Sequence, residues 1–331
     1  MTGANQSVYA QNEKGSGMGN MSWGVNSAHG TLKSVLMHRP GTEIDVVTNE
    51  NKAVFNFDGP VDRETFQAEY DVMISAFDDH GVEPVFLADV LRDDEDSLNF
   101  IKHRPNMTYT RDLAAVFRTG AVLMGPHLLG RWGDQDIVGR ALKRLGIPIL
   151  GSIDCPSFLE GGGVTMIGDD TVVASICDRA NQSGTRDLRN LVLGENAKYF
   201  LEVPLPPGHI HIDGLYMTMA EDLAICHSPA LNILPCRLFE AGKVEPRHIM
   251  FNEFLALRSM NIIEIDEQEM RGGHLNLVVT VENRKSVGFE SAVRLVNEMA
   301  ILGWEVSTFP SDTLFKGNGG AHCMTMPLHV I

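Results

Sequence analysis

An α/β fold arranged as a ring of five ββαβ modules is what this sequence predicts, and three observations carry the prediction. Strand-like segments alternate with helical ones along the whole length. A unit of hairpin, helix and returning strand recurs about every 45 residues. The first unit lacks one strand, and the chain ends on a strand that belongs to no unit of its own.

The elements follow in order. LKSVLMHRP (Leu32 to Pro40) reads as a strand ending in a turn, ETFQAEYDVMISAFDDHG carries apolar residues at helical spacing, and VEPVFLA returns as a strand. The second unit runs from the strand MTYTRDLAAVF through AVLMG and the helix DQDIVGRALKRLG to IPIL. The third has FLEGGGVTMIG, TVVASI, the helix SGTRDLRNLVL and the strand KYFLEV. HIHIDGLYMTMA, LAICH, a helix around FNEFLALRSM and NIIEI make the fourth, and HLNLVVTVE with FESAVRLVNEMAILG and WEVSTF the fifth. AHCMTMPLHV is left over, so the economical solution pairs it with the first module and closes the ring. A doubly wound sheet is the alternative fold, but the hairpin inside each unit gives too many antiparallel pairs for it.

Composition bounds the class. The chain of 331 residues is 44% hydrophobic with no apolar run of membrane-spanning length. Residues 1–22, rich in Gly, Asn and Ser and without a basic start before an apolar stretch, read as a flexible arm rather than a secretory signal, leaving 23–331 as a single domain. Five cysteines, Cys155, Cys177, Cys226, Cys236 and Cys323, are scattered with no CxxC pair and no zinc spacing, which fits a reducing cytoplasm and indicates no metal site. The formal charge of −16, from 43 acidic against 27 basic residues, disfavours nucleic acid as a partner and mildly favours a cationic ligand.

Polar residues recur at equivalent points of successive modules. Asp112 in YTRDL, Glu160 in FLEGGG, His211 and Asp213 in HIHID and Cys323 in GGAHCM all fall on the expected first strand, which would face the ring interior. Each alone has a bland reading as a turn cap, a surface acid or a packed thiol; as a set they converge on one axis. A cysteine thiolate is a strong nucleophile, and a neighbouring histidine can move the protons its reaction needs. Three carboxylates would repel anionic or neutral acyl substrates, which argues against a protease, whereas a planar guanidinium matches carboxylate oxygens two at a time.

YTRDL, LEGGG, IHID and GNGGAHCMTMPL, with ICDRANQSGTRDL after the glycine turn, resemble the motifs of the guanidino-group modifying enzymes: arginine deiminases, dimethylarginine dimethylaminohydrolases and amidinotransferases. Order and spacing fit over nearly the whole chain after residue 25. The resemblance implies the fivefold pseudosymmetric α/β propeller of ββαβ modules, the pentein fold. It also implies Cys323 as nucleophile on the guanidinium carbon through a covalent thiouronium intermediate, His211 as the acid and base, and Glu160 as the group orienting His211 and the guanidinium. Asp112 and Asp213 would clamp its nitrogens. Arg179 matches a substrate-carboxylate arginine of the family, with Arg131 as a second. No cofactor is implied; the expected partner is a small guanidino substrate, and the expected assembly a homodimer.

Departures from the pattern bear on the substrate. EGGD of the deiminases is EGGG here, with Gly163 in place of the acid, and Asn318 stands where arginine deiminases carry an arginine in the glycine loop. His322 before the cysteine resembles the His-Cys pair of amidinotransferases, while MTMPL is more like the deiminases. Asn318 and His322 are therefore expected at the substrate. His209 shares a strand face with His211 and competes with it, and His274 begins a fifth-module strand as a turn histidine bonded to backbone. A hydrolase of linear amidines is the leading expectation, an amidinotransferase the second, and a non-catalytic ligand-binding propeller with a structural Cys323 the third.

Overall fold

The structure, a computed structural model, describes residues 21–281 and 284–331. The arm expected at the N-terminus falls almost wholly outside the described residues. The described chain is a mixed α/β protein with five sheets. In the first, Leu32–Met37 pairs antiparallel with the C-terminal strand Met326–Val330 and parallel with Glu83–Phe86. The pairing expected of the leftover strand is thus present, with Val35 opposite Pro327 and Leu36 opposite Met326.

The same order of pairings returns in each of the other sheets. Ala114–Phe117 is antiparallel to Gly120–Leu123, which is parallel to Ile149–Ser152. Val164–Ile167, Thr171–Ile176 and Tyr199–Pro204 repeat the pattern, as do Tyr216–Ala220, Leu223–Cys226 and Asn261–Glu264, and Val278–Val281, Lys285–Phe289 and Glu305–Phe309. A parallel return needs a crossover, and in each sheet a helix supplies it: Arg63–Asp79, Asp134–Arg144, Gln182–Val192, Phe251–Leu257 and Val293–Ile301.

Local sequence explains these helices. Asp62 caps Arg63–Asp79 by accepting from Thr65 N at 2.9 Å, and Asn181 caps Gln182–Val192 by accepting from Gly184 N at 2.9 Å. Phe66, Tyr70, Met73 and Phe77 fall at helical spacing and are buried. They join Phe289 and Phe309 of the fifth sheet in one apolar cluster, so the first helix packs between the chain's first and last modules. Burying such side chains stabilises by about 1.5–3 kcal/mol each. No helix among the described residues is long and apolar enough to cross a membrane.

Two features depart from the expected pattern. A hairpin, Cys236–Glu240 with Arg247–Ile249, adds to the third sheet by pairing with Tyr199–Pro204. Its strands are only 5 and 3 residues long, too short for an alternation to register against Pro235 and Pro246 on either side; across the pairing, Arg237 Nε donates to Glu202 Oε1 at 2.7 Å. The expected first strands also begin later than their polar residues. Asp112 lies in the 3₁₀ turn Thr110–Leu113, Glu160 and His211 cap the 3₁₀ turns Gly161–Gly163 and Ile212–Gly214, and Cys323 precedes Met326–Val330. A polar residue two to five positions before an apolar strand mimics the strand's own alternation, which is why the sequence extends the strands over these turns.

Beneath the turns, Ala115, Thr165, Met217, Val279 and Pro327 line a small, largely apolar cavity of about 90 Å³. Each comes from the first strand of a different sheet. Above the turns lies a larger cavity of about 590 Å³, whose wall includes Asp112, Arg179, His211, Asp213, Asn276 and Cys323.

Candidate active site

Two close-packed glycine segments place the reactive groups. In Gly161–Gly163, a Cβ on Gly161 would meet the Arg111 carbonyl oxygen at 2.0 Å, and one on Gly162 would meet His211 Nδ1 at 2.5 Å and Asp112 Oδ1 at 3.0 Å. Before the cysteine, Cβ atoms on Gly317 and Gly319 would strike Tyr109 at 1.8 and 2.5 Å, and one on Gly320 the Phe289 ring at 2.2 Å. The glycines before the cysteine, expected to allow both close backbone approach and positive φ, serve only the first; the left-handed residue of this turn is Asn318, at φ 60°.

Glu160 is the most enclosed group of the site, with no exposed surface. Its Oε2 accepts from Arg179 Nη1 at 3.1 Å and meets His211 Nε2 at 2.9 Å, and its Oε1 accepts from the His127 backbone N–H at 3.1 Å. Burial opposes its ionisation, but the His211 hydrogen bond and the Arg131 and Arg179 charges outweigh it and hold its pKa below the ordinary value. His211 Nδ1 faces Asp112 Oδ1 at 3.8 Å and Asp213 Oδ1 at 3.9 Å. Burial disfavours the imidazolium, yet Asp112, Glu160 and Asp213 together raise its pKa above the ordinary value.

Asp112 and Asp213 are engaged differently. Asp112 Oδ2 accepts from Arg131 Nη1 at 2.6 Å and its Oδ1 from Gly162 N at 3.1 Å. Arg131, only 1% exposed, also donates from Nη2 to the Tyr109 carbonyl at 3.1 Å. Asp213 Oδ2 meets His322 Nδ1 at 2.9 Å and lies 3.8 Å from Cys323 Sγ. Burial raises the Asp213 pKa, but the hydrogen bond from His322 and nearby positive charge bring it below the ordinary value. Burial and the Arg111 charge bring His322 down to about 4, so its ring is neutral near pH 7.

Cys323 is 8% exposed. Burial, then the charges of Asp213 and Asp112, push its thiol well above the ordinary value. Asn276 Nδ2 donates to Sγ at 3.3 Å. The resting sulfur is therefore a neutral thiol facing two carboxylates, an arrangement that a bound cation would tip toward thiolate.

The structure thus brings Cys323, His211, Glu160, Asp112, Asp213, Arg131, Arg179 and His322 into one hydrogen-bonded and charged cluster. Asn318 sits on the cavity wall instead, its Nδ2 donating to the Asn56 carbonyl at 2.9 Å and Asp58 Oδ1 at 3.2 Å. His209 also lines the cavity. His274 is not among the lining residues; it sits in a turn as expected, its backbone N–H donating to the Glu269 carbonyl at 3.1 Å, while its buried ring Nδ1 has no hydrogen-bond partner.

Three participants escaped the sequence. Asn276 stands before the fifth sheet's first strand, where the other four modules carry Asp112, Glu160, His211 with Asp213, and Cys323; that vacancy in the pattern was the available signal. Arg111 donates from Nε to the His322 carbonyl at 2.5 Å and from its backbone N–H to the Cys323 carbonyl at 3.3 Å. Burial brings its pKa down to about 10, and it holds the cysteine turn from below. Tyr109 walls the cavity against Gly317 and Gly319. Ligand atoms of Asp112, Glu160 and His211 lie within 4.8 Å of one another, a spacing a metal ion could use. Arg131 and Arg179 already occupy those carboxylates, and their charge opposes a divalent cation there.

Comparison with known proteins bears on this cluster. The family model for arginine deiminase matches residues 87–329. The arginine deiminases of Listeria welshimeri and Lactococcus lactis subsp. cremoris are 22% and 20% identical, each alignment covering 92% of this chain and 97% of the relative. Among solved structures, a cysteine-to-serine mutant of the Pseudomonas aeruginosa dimethylarginine dimethylaminohydrolase complexed with citrulline superposes with a TM-score of 0.67 at 18% identity, over 89% of this chain and 99% of that one. The N-terminal domain of ArgZ, a cyanobacterial arginine dihydrolase, bound to substrate, gives 0.68 at 15% identity, over 88% and 97%. These structures share the fold, and the match over most of its length makes the chain a member of the arginine deiminase family, among the hydrolases that act on the carbon–nitrogen bonds of guanidino groups.

Proposed function

We propose that this protein hydrolyses a small guanidino compound at its central carbon, with Cys323 as nucleophile and a ureido compound and ammonia, or an amine, as products. The observation that carries the reading is the Cys323 sulfur at 3.8 Å from Asp213 Oδ2, in the cavity that His211 also lines with Nε2 held by Glu160 at 2.9 Å. A guanidinium drawn between Asp112 and Asp213 presents its carbon to the sulfur and offsets the charge of the thiolate it helps to form.

The Cys323 thiol releases its proton to solvent as the cation binds, and two proton transfers through His211 follow. The thiolate attacks the guanidinium carbon, and as the carbon–nitrogen bond breaks His211 gives its proton to the departing nitrogen, leaving a thiouronium on Cys323. Water attacks that carbon, His211 takes one of its protons, the carbon–sulfur bond breaks to return the thiolate, and the other water proton passes from the new carbonyl oxygen to solvent. Glu160 keeps His211 oriented and stabilises its charged form. Arg179, at the cavity wall, is the anchor for an anionic end of the substrate; Arg131 stands behind Asp112 as the second cation, and Asn318 adds to the wall, whereas His322, expected at the substrate, borders the small apolar cavity instead and acts through Asp213.

We also propose that the five sheets form a closed fivefold propeller. Two observations support it: the small cavity bordered by the first strands of all five sheets, and the C-terminal strand paired into the first. Gly24 N donating to the Leu328 carbonyl at 2.8 Å, with Val330 N donating to the Gly24 carbonyl at 2.9 Å, supports one domain over residues 23–331.

The test is a screen of arginine, methylated arginines, agmatine and guanidino acids for release of ammonia or amine with no acceptor amine present. Release that disappears in Cys323→Ser supports the reading. Turnover only when an acceptor amine is supplied would make the enzyme an amidinotransferase, and no reaction with any of them would overturn the proposal.

A further inference from the structure

Asn276 makes two directed hydrogen bonds at the reacting cysteine. Its Oδ1 accepts from the His322 backbone N–H at 2.7 Å while its Nδ2 donates to Cys323 Sγ at 3.3 Å. An amide that uses its acceptor on the backbone beside the nucleophile has its orientation set, so the NH₂ group points at the sulfur and not away from it. The remaining side chains that face Cys323 act through charge: Asp213 and Asp112 oppose ionisation, while Arg111 beneath the turn attracts the thiolate. Tyr109 stands beside it with its hydroxyl protonated, because burial and the thiolate both hold its pKa up. His211 faces Asp112 and Asp213, and His322 meets Asp213.

We propose that Asn276 is a catalytic residue of this site: its side-chain N–H group stabilises the Cys323 sulfur as it ionises, and its carbonyl fixes the turn that carries the cysteine. The proposal rests on the nucleophilic role given to Cys323 above. A donor aimed at a developing thiolate strengthens as the charge forms, because hydrogen bonds to ionised groups are roughly twice as strong as neutral ones, and it needs no reorganisation when the reaction begins. A sulfur placed between two carboxylates has particular need of one. The donor is a carboxamide, so it adds no charge that would repel a cationic substrate.

Asn276→Asp keeps the acceptor for the His322 N–H but replaces the donor to sulfur with a charged carboxylate, so Asn276→Ala, which removes the donor without adding charge, is the deciding variant. The measurement is the pH dependence of inactivation by 2-chloroacetamidine, a cationic alkylating reagent, against neutral chloroacetamide, with Cys323→Ser as the blank. The wild type is expected to react faster with the cationic reagent. In Asn276→Asp the rate near neutral pH should fall about tenfold or more, and the alkaline limb should move up by about one pH unit or more, a unit corresponding to a factor of ten. Asn276→Ala, checked for an intact melting transition, should shift the limb in the same direction, with kcat falling and KM little changed for any turned-over substrate. An unchanged limb in Asn276→Ala, whatever the added charge of Asn276→Asp does, or loss only through KM and melting temperature, would show Asn276 to be a loop anchor and overturn the proposal. A wild type that shows no preference for the cationic reagent would instead count against the guanidino reading itself, so the two failures are distinguishable.

Discussion

His211 sits among three carboxylates, and that placement governs how the site responds to pH. Burial alone would lower its pKa, but Asp112, Glu160 and Asp213 raise it, so the imidazolium needed for the leaving nitrogen is present near neutrality. Its contribution to folding stability is complete below the ordinary histidine value and is lost as pH rises through the raised one. Glu160 behaves oppositely. Its lowered pKa gives stability that is complete above the ordinary glutamate value and is lost as pH falls toward the folded one. Glu160→Gln should therefore move the alkaline limb of kcat/KM to lower pH and cut kcat by about a hundredfold or more; an unchanged limb in a pH–rate profile would contradict the coupling. Most of these side chains were legible in sequence because a matched set recurred at one point of each module. Asn276 was not, because an amide beside His274 drew attention to the histidine. Arg111 was hidden too, since only the folded turn shows that it reaches the carbonyls of His322 and Cys323.

At the scale of elements, the glycine turns decide where the chemistry sits. Gly162→Ala would put a methyl group 2.5 Å from His211 Nδ1, so the protein should fold but lose about a hundredfold in kcat, a displacement of the order of an ångström being enough for that. Gly161→Ala meets backbone, the Arg111 carbonyl at 2.0 Å, and should also lower stability by about 1–3 kcal/mol in urea unfolding. Equal stability of the two variants would contradict this distinction. Helices and returning strands were readable because their apolar spacing spans several turns, as in Phe66, Tyr70, Met73 and Phe77. The 3₁₀ turns before the first strands were not, because three or four residues are too few to reveal a period. The short hairpin Cys236–Glu240 with Arg247–Ile249 was missed for the same reason.

Across the whole molecule, the last strand does two jobs: it completes the first sheet and places the cysteine. Leu328 is fully buried in the cluster that joins the first and second modules, so Leu328→Ala should cost about 2–5 kcal/mol, read from denaturant midpoints, and activity should fall with the folded fraction. The repeat was legible because hairpin, helix and returning strand alternate five times, and the odd strand at each end implied its own pairing. Which atoms of the modules would meet at the centre was not, since that depends on turns only the folded chain defines.

The central claim is that the terminal cysteine forms a bond to the guanidinium carbon, and intact-protein mass spectrometry of acid-quenched turnover tests it most directly. The account predicts an added mass on Cys323 equal to the substrate less the departing ammonia or amine, absent from Cys323→Ser, which should be inactive. Turnover that survives in Cys323→Ser, with no mass added to the wild-type cysteine, would contradict it.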